Sequence, residues 1–131
     1  MIGKVLLDTQ TFILAATEES SQLSKRASRV FLDDDYTLYL SSASIWEMAI
    51  KIHLGKLRLP VSLRKSVQVA TLEIGIRILP IETSHIYSLE GLPDHHRDPF
   101  DRLLIAQAIF EEMIVLGSDK MFDKYKVKRV W

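Results

Sequence analysis

The sequence predicts an α/β fold with a central, mostly parallel sheet. Two observations carry this. Short apolar runs alternate with stretches of helical periodicity along the whole chain. Nothing between them is long enough, repetitive enough or biased enough in composition to be a linker or a low-complexity tract. The 131 residues fit one domain, taken as 1–131, and a hydrophobic share of 47% is enough for a real core.

"KVLLD" (4–8) is a short apolar run closed by an acid and reads as a buried strand. "TQTFILAA" follows as a short helix, which Thr9 or Thr11 is placed to cap. In "SQLSKRASRVFLDD" (21–34), Leu23, Ala27, Val30 and Phe31 share one face, giving a second helix. "YTLYLS" (36–41) alternates and is rich in aromatic residues, the pattern of a strand. "ASIWEMAIKIHL" (43–54) is helical and stops at Gly55. "KLRLP" is an extended link, and "SLRKSVQVATLEIG" (62–75) is another helix ending in glycine. "IRILPI" (76–81) is a strand, "SHIYSLEGL" (84–92) a short helix and "PDHHRD" (93–98) a polar loop. "PFDRLLIAQAIFEE" (99–112) is the clearest helix in the chain. "MIVLGSD" (113–119) is a strand ending in an acid, "KMFDKY" a short helix and "YKVKRVW" (125–131) a last strand.

Ligands of such sheets bind beyond the carboxyl ends of the strands. Asp8 and Asp119 stand just past two expected strands, and Glu47 lies in the helix entered from a third. Asp98 and Asp101 head the helix that leads into the fourth. Each acid also has a purely structural explanation. Asp98 is a good N-cap, Pro99 suits the first helical position, and Asp101 sits where the helix dipole favours negative charge. Ser44 and Glu47 have capping-box spacing, and Asp119 is placed to cap the helix after it. As a group the acids have a second explanation. Carboxylates crowded into one cleft raise one another's pKa unless a cation neutralises them, and hard oxygen ligands suit Mg²⁺ or Mn²⁺. Spacing alone leaves the two readings open.

Other features bound the function. Lys+Arg and Asp+Glu are equal at 17 each, so there is no global bias toward nucleic acid. There is no cysteine, which excludes disulfides and thiolate metal sites and fits a reducing compartment. "MIGKVLLDTQ" lacks a signal-peptide core, and no apolar run reaches the roughly 20 residues of a spanning helix, so a soluble cytoplasmic protein is expected. His95 and His96 are tempting as ligands but fit a solvated loop, where one is placed to touch a phosphate or the partner helix. Trp46 shares a helix face with Ile50 and reads as core. Lys120, Lys124, Lys126, Lys128 and Arg129 form a basic cluster: a solvated face by default, with Lys120 and Lys124 near enough to Asp119 for phosphate contacts.

"LLDTQTFIL", "SASIWEMAIKIHLGKL", "HHRDPFDRLLIAQA" and "GSDKMFDKY", in this order and spacing, resemble a PIN-domain protein of the VapC-like toxin group. The likeness runs from about residue 4 to the end, and the third motif resembles one subgroup in particular. It implies a PIN-like three-layer α/β/α sandwich and a Mg²⁺- or Mn²⁺-dependent ribonuclease. It matches the family's acids to Asp8, Glu47, Asp101 and Asp119, with Asp98 as the subgroup's extra acid. In the implied mechanism these residues hold one or two metal ions while water attacks an RNA phosphodiester. Arg97, Arg102, Lys120 and Lys124 are the basic residues placed to hold the RNA backbone. A homodimer and a small cognate antitoxin that inserts a side chain toward the acids are also implied. Two positions depart from the pattern: Gln10, where the subgroup usually has His, and Gly117, where a small hydroxyl residue is common.

Two other functions compete with this one. An aspartate-nucleophile phosphohydrolase would use Asp8 but wants a second Asp where Gln10 stands. A non-catalytic binding module would use the same surface to hold a partner.

Overall fold

The computed structural model describes residues 3–131; Met1 and Ile2, at the head of the expected domain, lie outside the described residues. Five strands form one sheet: β1 (Gly3–Leu7), β2 (Tyr36–Ser41), β3 (Arg77–Leu79), β4 (Ile114–Leu116) and β5 (Arg129–Val130). Their order is β3-β2-β1-β4-β5, and every pairing is parallel. The helices are α1 (Thr9–Ala16), α2 (Lys25–Leu32), α3 (Ser42–His53), α4 (Leu63–Val69), α5 (Thr83–Tyr87) and α6 (Pro99–Phe110).

Strand periodicity sorts the core into two layers. Val5, Leu7, Leu38, Leu40 and Leu116 face one side, with Phe12 and Ile13 of α1 and Ala27 and Val30 of α2. Leu6 and Val115 face the other, with Leu103, Leu104, Ile105 and Ala108 of α6. β1 is central and covered on both faces, which is why it reads as an unbroken apolar run. Each fully buried Leu or Ile contributes roughly 1.5–3 kcal/mol. The α/β/α sandwich is therefore the expected one.

Several elements are shorter than expected. The 21–34 stretch divides into a 3₁₀ turn (Glu18–Gln22) and α2, because the Ser24 hydroxyl accepts from the Ala27 N–H and starts a new helix. The 62–75 helix leaves α geometry after Val69 and finishes as a π turn (Ala70–Ile74), closed by left-handed Gly75. The 84–92 helix is α5, begun one residue earlier, followed by a 3₁₀ turn (Ser88–Gly91). α6 ends at Phe110, two residues early; Glu112 has a φ of 56° and turns the chain into β4. β3, β4 and β5 keep only the residues that have a strand neighbour. The expected capping box on Ser44 and Glu47 does not form. β2 runs straight into α3, and Ser41 is the N-cap, its hydroxyl accepting from the Ala43 N–H at 3.0 Å.

A buried polar chain joins the two helices that carry acids. Ser41 Oγ donates to Gln107 Oε1 of α6 at 2.6 Å. Gln107 Nε2 lies 3.3 Å from both the Pro80 carbonyl and His85 Nδ1. His85 Nδ1 also accepts from the Glu82 N–H, and its Nε2 meets Glu111 at 3.0 Å. Ser41, His85 and Gln107 are all fully buried. One glutamine thus sets α6 against the start of α3. Replacing it with an apolar isostere strands several buried polar groups, each at roughly 1–3 kcal/mol. Gln107→Leu is expected to cost about 2 kcal/mol or more of unfolding free energy, the low end for two such groups, read by urea titration. A loss below half of that would show that the network does not lock the helices.

Candidate metal-binding cleft

The strand order reverses between β1 and β4, so the loops leaving them part to opposite sides and open a crevice at the carboxyl edge of the sheet. A cleft of about 410 Å³ lies there, lined by Asp8, Glu47, Asp98, Asp101 and Asp119 with Thr9, Gln10, Lys51, Ser118 and Phe122. All five acids singled out in the sequence therefore line one cleft, but only Asp98 and Asp101, with His96, bring ligand atoms close enough together to share an ion among the described residues.

Each acid is aimed by its own element. Asp8 leaves β1 as the N-cap of α1, and its Oδ1 accepts from the Thr11 N–H at 2.7 Å. Neither threonine caps: the Thr11 hydroxyl donates to the Leu116 carbonyl, which ties α1 to β4. Asp98 caps α6, its Oδ1 taking the Phe100 and Asp101 N–H groups. Asp119 caps the 3₁₀ turn Lys120–Lys124 through the Met121 N–H. Asp101, in the first turn of α6, bonds through Oδ2 to His96 Nε2 at 2.9 Å. Among the described residues, each of these four spends one carboxylate oxygen on protein and keeps the other unbonded. Glu47 differs. Oε1 accepts from the Thr9 hydroxyl at 2.7 Å and Oε2 pairs with Lys51 Nζ at 2.9 Å.

Burial dominates the electrostatics of the cleft, and neighbouring acids add to it. Burial pushes the Asp8 carboxyl up; Thr11 opposes this, and Asp119 and Glu47 add to it. Burial also pushes Asp101 up to about 6, against the His96 bond and with help from Asp98 and Glu47. The unbonded donors are hard carboxylate oxygens, and one ligand atom from each of His96, Asp98 and Asp101 falls within 4.8 Å of the others. This donor set fits Mg²⁺ or Mn²⁺.

The remaining sequence candidates are placed as follows. Arg97 is exposed. Arg102 is committed to the loop ahead of its helix, reaching the Pro93, His96 and Leu92 carbonyls and Asp94. Lys120 is exposed, and Lys124 lines a different cavity. Arg129, read as part of a basic face, bonds Asp123 through two nitrogens and the Gly117 carbonyl through a third. Trp46 is not core: it is 57% exposed and meets Phe100 edge to face. His96 is held by Asp101 rather than free in a solvated loop. Thr9 and Lys51 were missed, although Lys51 stands one helical turn after Glu47, a spacing that marks ion pairs. Gly117 has a local reason. A Cβ there would lie 2.5 Å from Asp8 Oδ2, so the glycine provides the room that the Asp8 carboxylate occupies.

The PIN domain family profile matches residues 5–128, and the chain belongs to that family. Its fold is similar to chains of three solved structures. A chain of VapBC2 from Rickettsia felis, bound to a DNA fragment from its promoter, superposes with a TM-score of 0.70 at 12% identity, covering 97% of each chain. A chain of FitAcB from Neisseria gonorrhoeae gives 0.63 at 18%, covering 97% of this chain and 96% of that one. A chain of FitAB bound to IR36 DNA gives 0.66 at 18%, covering 96% and 93%. No curated protein sequence matches significantly.

The raised Asp101 pKa fixes the sign of a stability effect. Its folded-state value lies above the ordinary 3.8, so its contribution is fully present below about pH 4 and is lost as pH rises through 6. In EDTA, Asp101→Asn should melt a few degrees above wild type at about pH 7.5 and level with it near pH 4. A variant that melts lower at the higher pH would mean that Asp101 is not electrostatically strained. Gly117→Ala should displace the Asp8 carboxylate from its cap and lower stability by about 1 kcal/mol in thermal melts.

Proposed function

We propose that this chain is a Mg²⁺- or Mn²⁺-dependent endoribonuclease, the toxin of a toxin–antitoxin pair, working as a single PIN unit over residues 1–131. The observation that carries this is the cleft itself. Four aspartates each hold one oxygen on the scaffold and leave another unbonded, in a crevice where a divalent cation would offset their charge. Membership of the PIN family and similarity to chains from VapBC2 and FitAB complexes support the same reading.

In this reading Asp8, Asp98, Asp101 and Asp119 would hold the ion, with Glu47 completing the set. A bound Mg²⁺ or Mn²⁺ supplies Lewis acidity and makes water a stronger nucleophile near neutral pH. The chain's own residues do the rest. Thr9 and Lys51 hold Glu47 at the rim of the cleft. His96 orients Asp101 and, when protonated, offsets part of its charge. Lys51, beside the acids, is placed to meet an incoming phosphate. Attack of water on phosphorus would break the P–O bond to the leaving ribose oxygen, which takes up a proton, and the acids would hold an ion that offsets negative charge on the phosphoryl oxygens.

Trp46 and Ile50 of α3 and Leu54 at its C-cap recur every four residues and are exposed. An apolar stripe of this kind suits a partner helix or strand, and a small antitoxin is its occupant here. A second copy of the chain completes a homodimer.

Asp8→Asn and Asp101→Asn should each reduce Mg²⁺-dependent cleavage of single-stranded RNA by more than a hundredfold while keeping the wild-type circular dichroism spectrum. Asp98→Asn keeps a good cap and should lose less activity, whereas Asp98→Ala should also lose about 1 kcal/mol of stability. RNA cut at the wild-type rate by the first two variants, or cut equally well in EDTA, would sink the assignment. Tight binding of a protein partner without any cleavage would favour a non-catalytic binding module.

A further inference from the structure

A second cavity, of about 610 Å³, lies behind the acid cleft, and the proposed chemistry does not use it. Its lining includes Tyr87, Ile109 and Tyr125, with Lys124 and Lys126. Tyr87 is 68% exposed and Ile109 is 40% exposed, so the apolar lining is open to a ligand. His95 extends the aromatic wall, meeting Tyr125 edge to face at 5.2 Å, and its backbone N–H donates to the Tyr125 hydroxyl at 3.1 Å. Lys124 and Lys126 form no ion pair among the described residues. They belong to the segment 120–129, which holds all five cations of the C-terminal cluster and a single acid, Asp123. Asp123 is committed to Arg129. Lys128 lines a different cavity with Arg26 and Arg29, so the positive charge on the groove itself is that of Lys124 and Lys126.

The two cavities share their dividing walls. The segment 119–125 gives Asp119 and Phe122 to the acid cleft and Lys124 and Tyr125 to the second cavity. The loop before α6 gives Asp98 to the cleft and Leu92, Pro93 and His95 to the other side. Along the 3₁₀ turn, Lys124 stands about 10 Å from Asp119, at roughly 2 Å per residue.

We infer that this aromatic and basic groove binds single-stranded RNA beside the scissile phosphate, with an unpaired base stacked on Tyr87 and the adjoining phosphates on Lys124 and Lys126. The inference rests on the nuclease reading for the direction of the strand toward the acids, but not for binding itself. An apolar protein segment would use Tyr87 and Ile109 equally well and would leave the two lysines without a purpose. A polyanion with exposed base faces uses both halves of the groove. Stacking needs no particular base, so binding here is expected to tolerate sequence changes.

The test measures fluorescence anisotropy of a labelled single-stranded RNA of mixed sequence in EDTA, where no cleavage is expected, titrated with the full chain at several salt concentrations. A strand of about 12 nucleotides spans cleft and groove, given site sizes of roughly 4–16. Tyr87→Ala should weaken binding about tenfold and leave the salt dependence unchanged. Lys124→Ala with Lys126→Ala should weaken it and flatten the slope of log K against log salt by roughly 0.7 for each phosphate no longer held. The duplex form of the same RNA should bind less tightly. Unchanged affinity in both variants, with folding verified by circular dichroism, overturns the inference, even if Mg²⁺-dependent cleavage persists. The expected binding pattern without cleavage in Mg²⁺ overturns the nuclease reading and leaves the groove standing. Should Tyr87→Ala instead shift the sedimentation coefficient of the chain with RNA affinity intact, the face is a contact between copies and the inference fails.

Discussion

Bringing five carboxylates to one cleft, two of them raised in pKa by burial first and by acidic neighbours second, is the constraint around which this molecule is arranged. Such a crowd would splay apart if each side chain were free to rotate. Three of the acids are pinned by helix or turn N-terminal N–H groups, which carry partial positive charge. The fourth aspartate is held by a histidine and the glutamate by a threonine and a lysine. The topology makes the pinning possible. In an all-parallel sheet the helices run back against the strands, so the N-termini of α1, α3 and α6 all come to the carboxyl edge. At "DPFD" the geometry that starts the helix also brings both aspartates to the lining of the cleft.

The buried Ser41–Gln107–His85 chain adds the lateral constraint. The acids of α6 and α3 stand on separate helices that the sheet alone would allow to slide. A hydrogen-bonded glutamine in the core has few acceptable positions, because a small shift breaks several buried bonds at once. Apolar packing supplies most of the stability, and this polar chain supplies the registration between the two helices.

Most of the architecture was legible because the central strands are covered on both sides, so "KVLL" and "IVL" stand out as continuous apolar runs. The four aspartates were legible because each sits at an element boundary that local pattern can find, whereas Glu47 lies in the body of α3. What stayed hidden depends on distant partners. Ser41, not Ser44, caps α3, since the end of β2 is set by its pairing with β3 and by Gln107. Trp46 lies on a helix face that looks apolar in sequence, yet no element covers most of it. Arg102 resembles a free cation until the loop ahead of it folds back to offer its carbonyls. Gly117 looked like a departure from the resembled pattern. Its purpose appears only when Asp8 is seen occupying the space a Cβ would fill.

The N-cap duty of Asp8, Asp98 and Asp119 also bears on how this sequence can drift. If selection for the cleft's chemistry were relaxed, these positions would not become neutral, since each still has backbone N–H groups to satisfy. Substitution would be channelled toward Asn, Ser and Thr, the residues that cap without a full charge. Asp101, which caps nothing, would be free to vary first. A lineage that had abandoned the chemistry would therefore show an eroded position 101 beside capping residues at 8, 98 and 119, a signature distinct from uniform decay of the cleft.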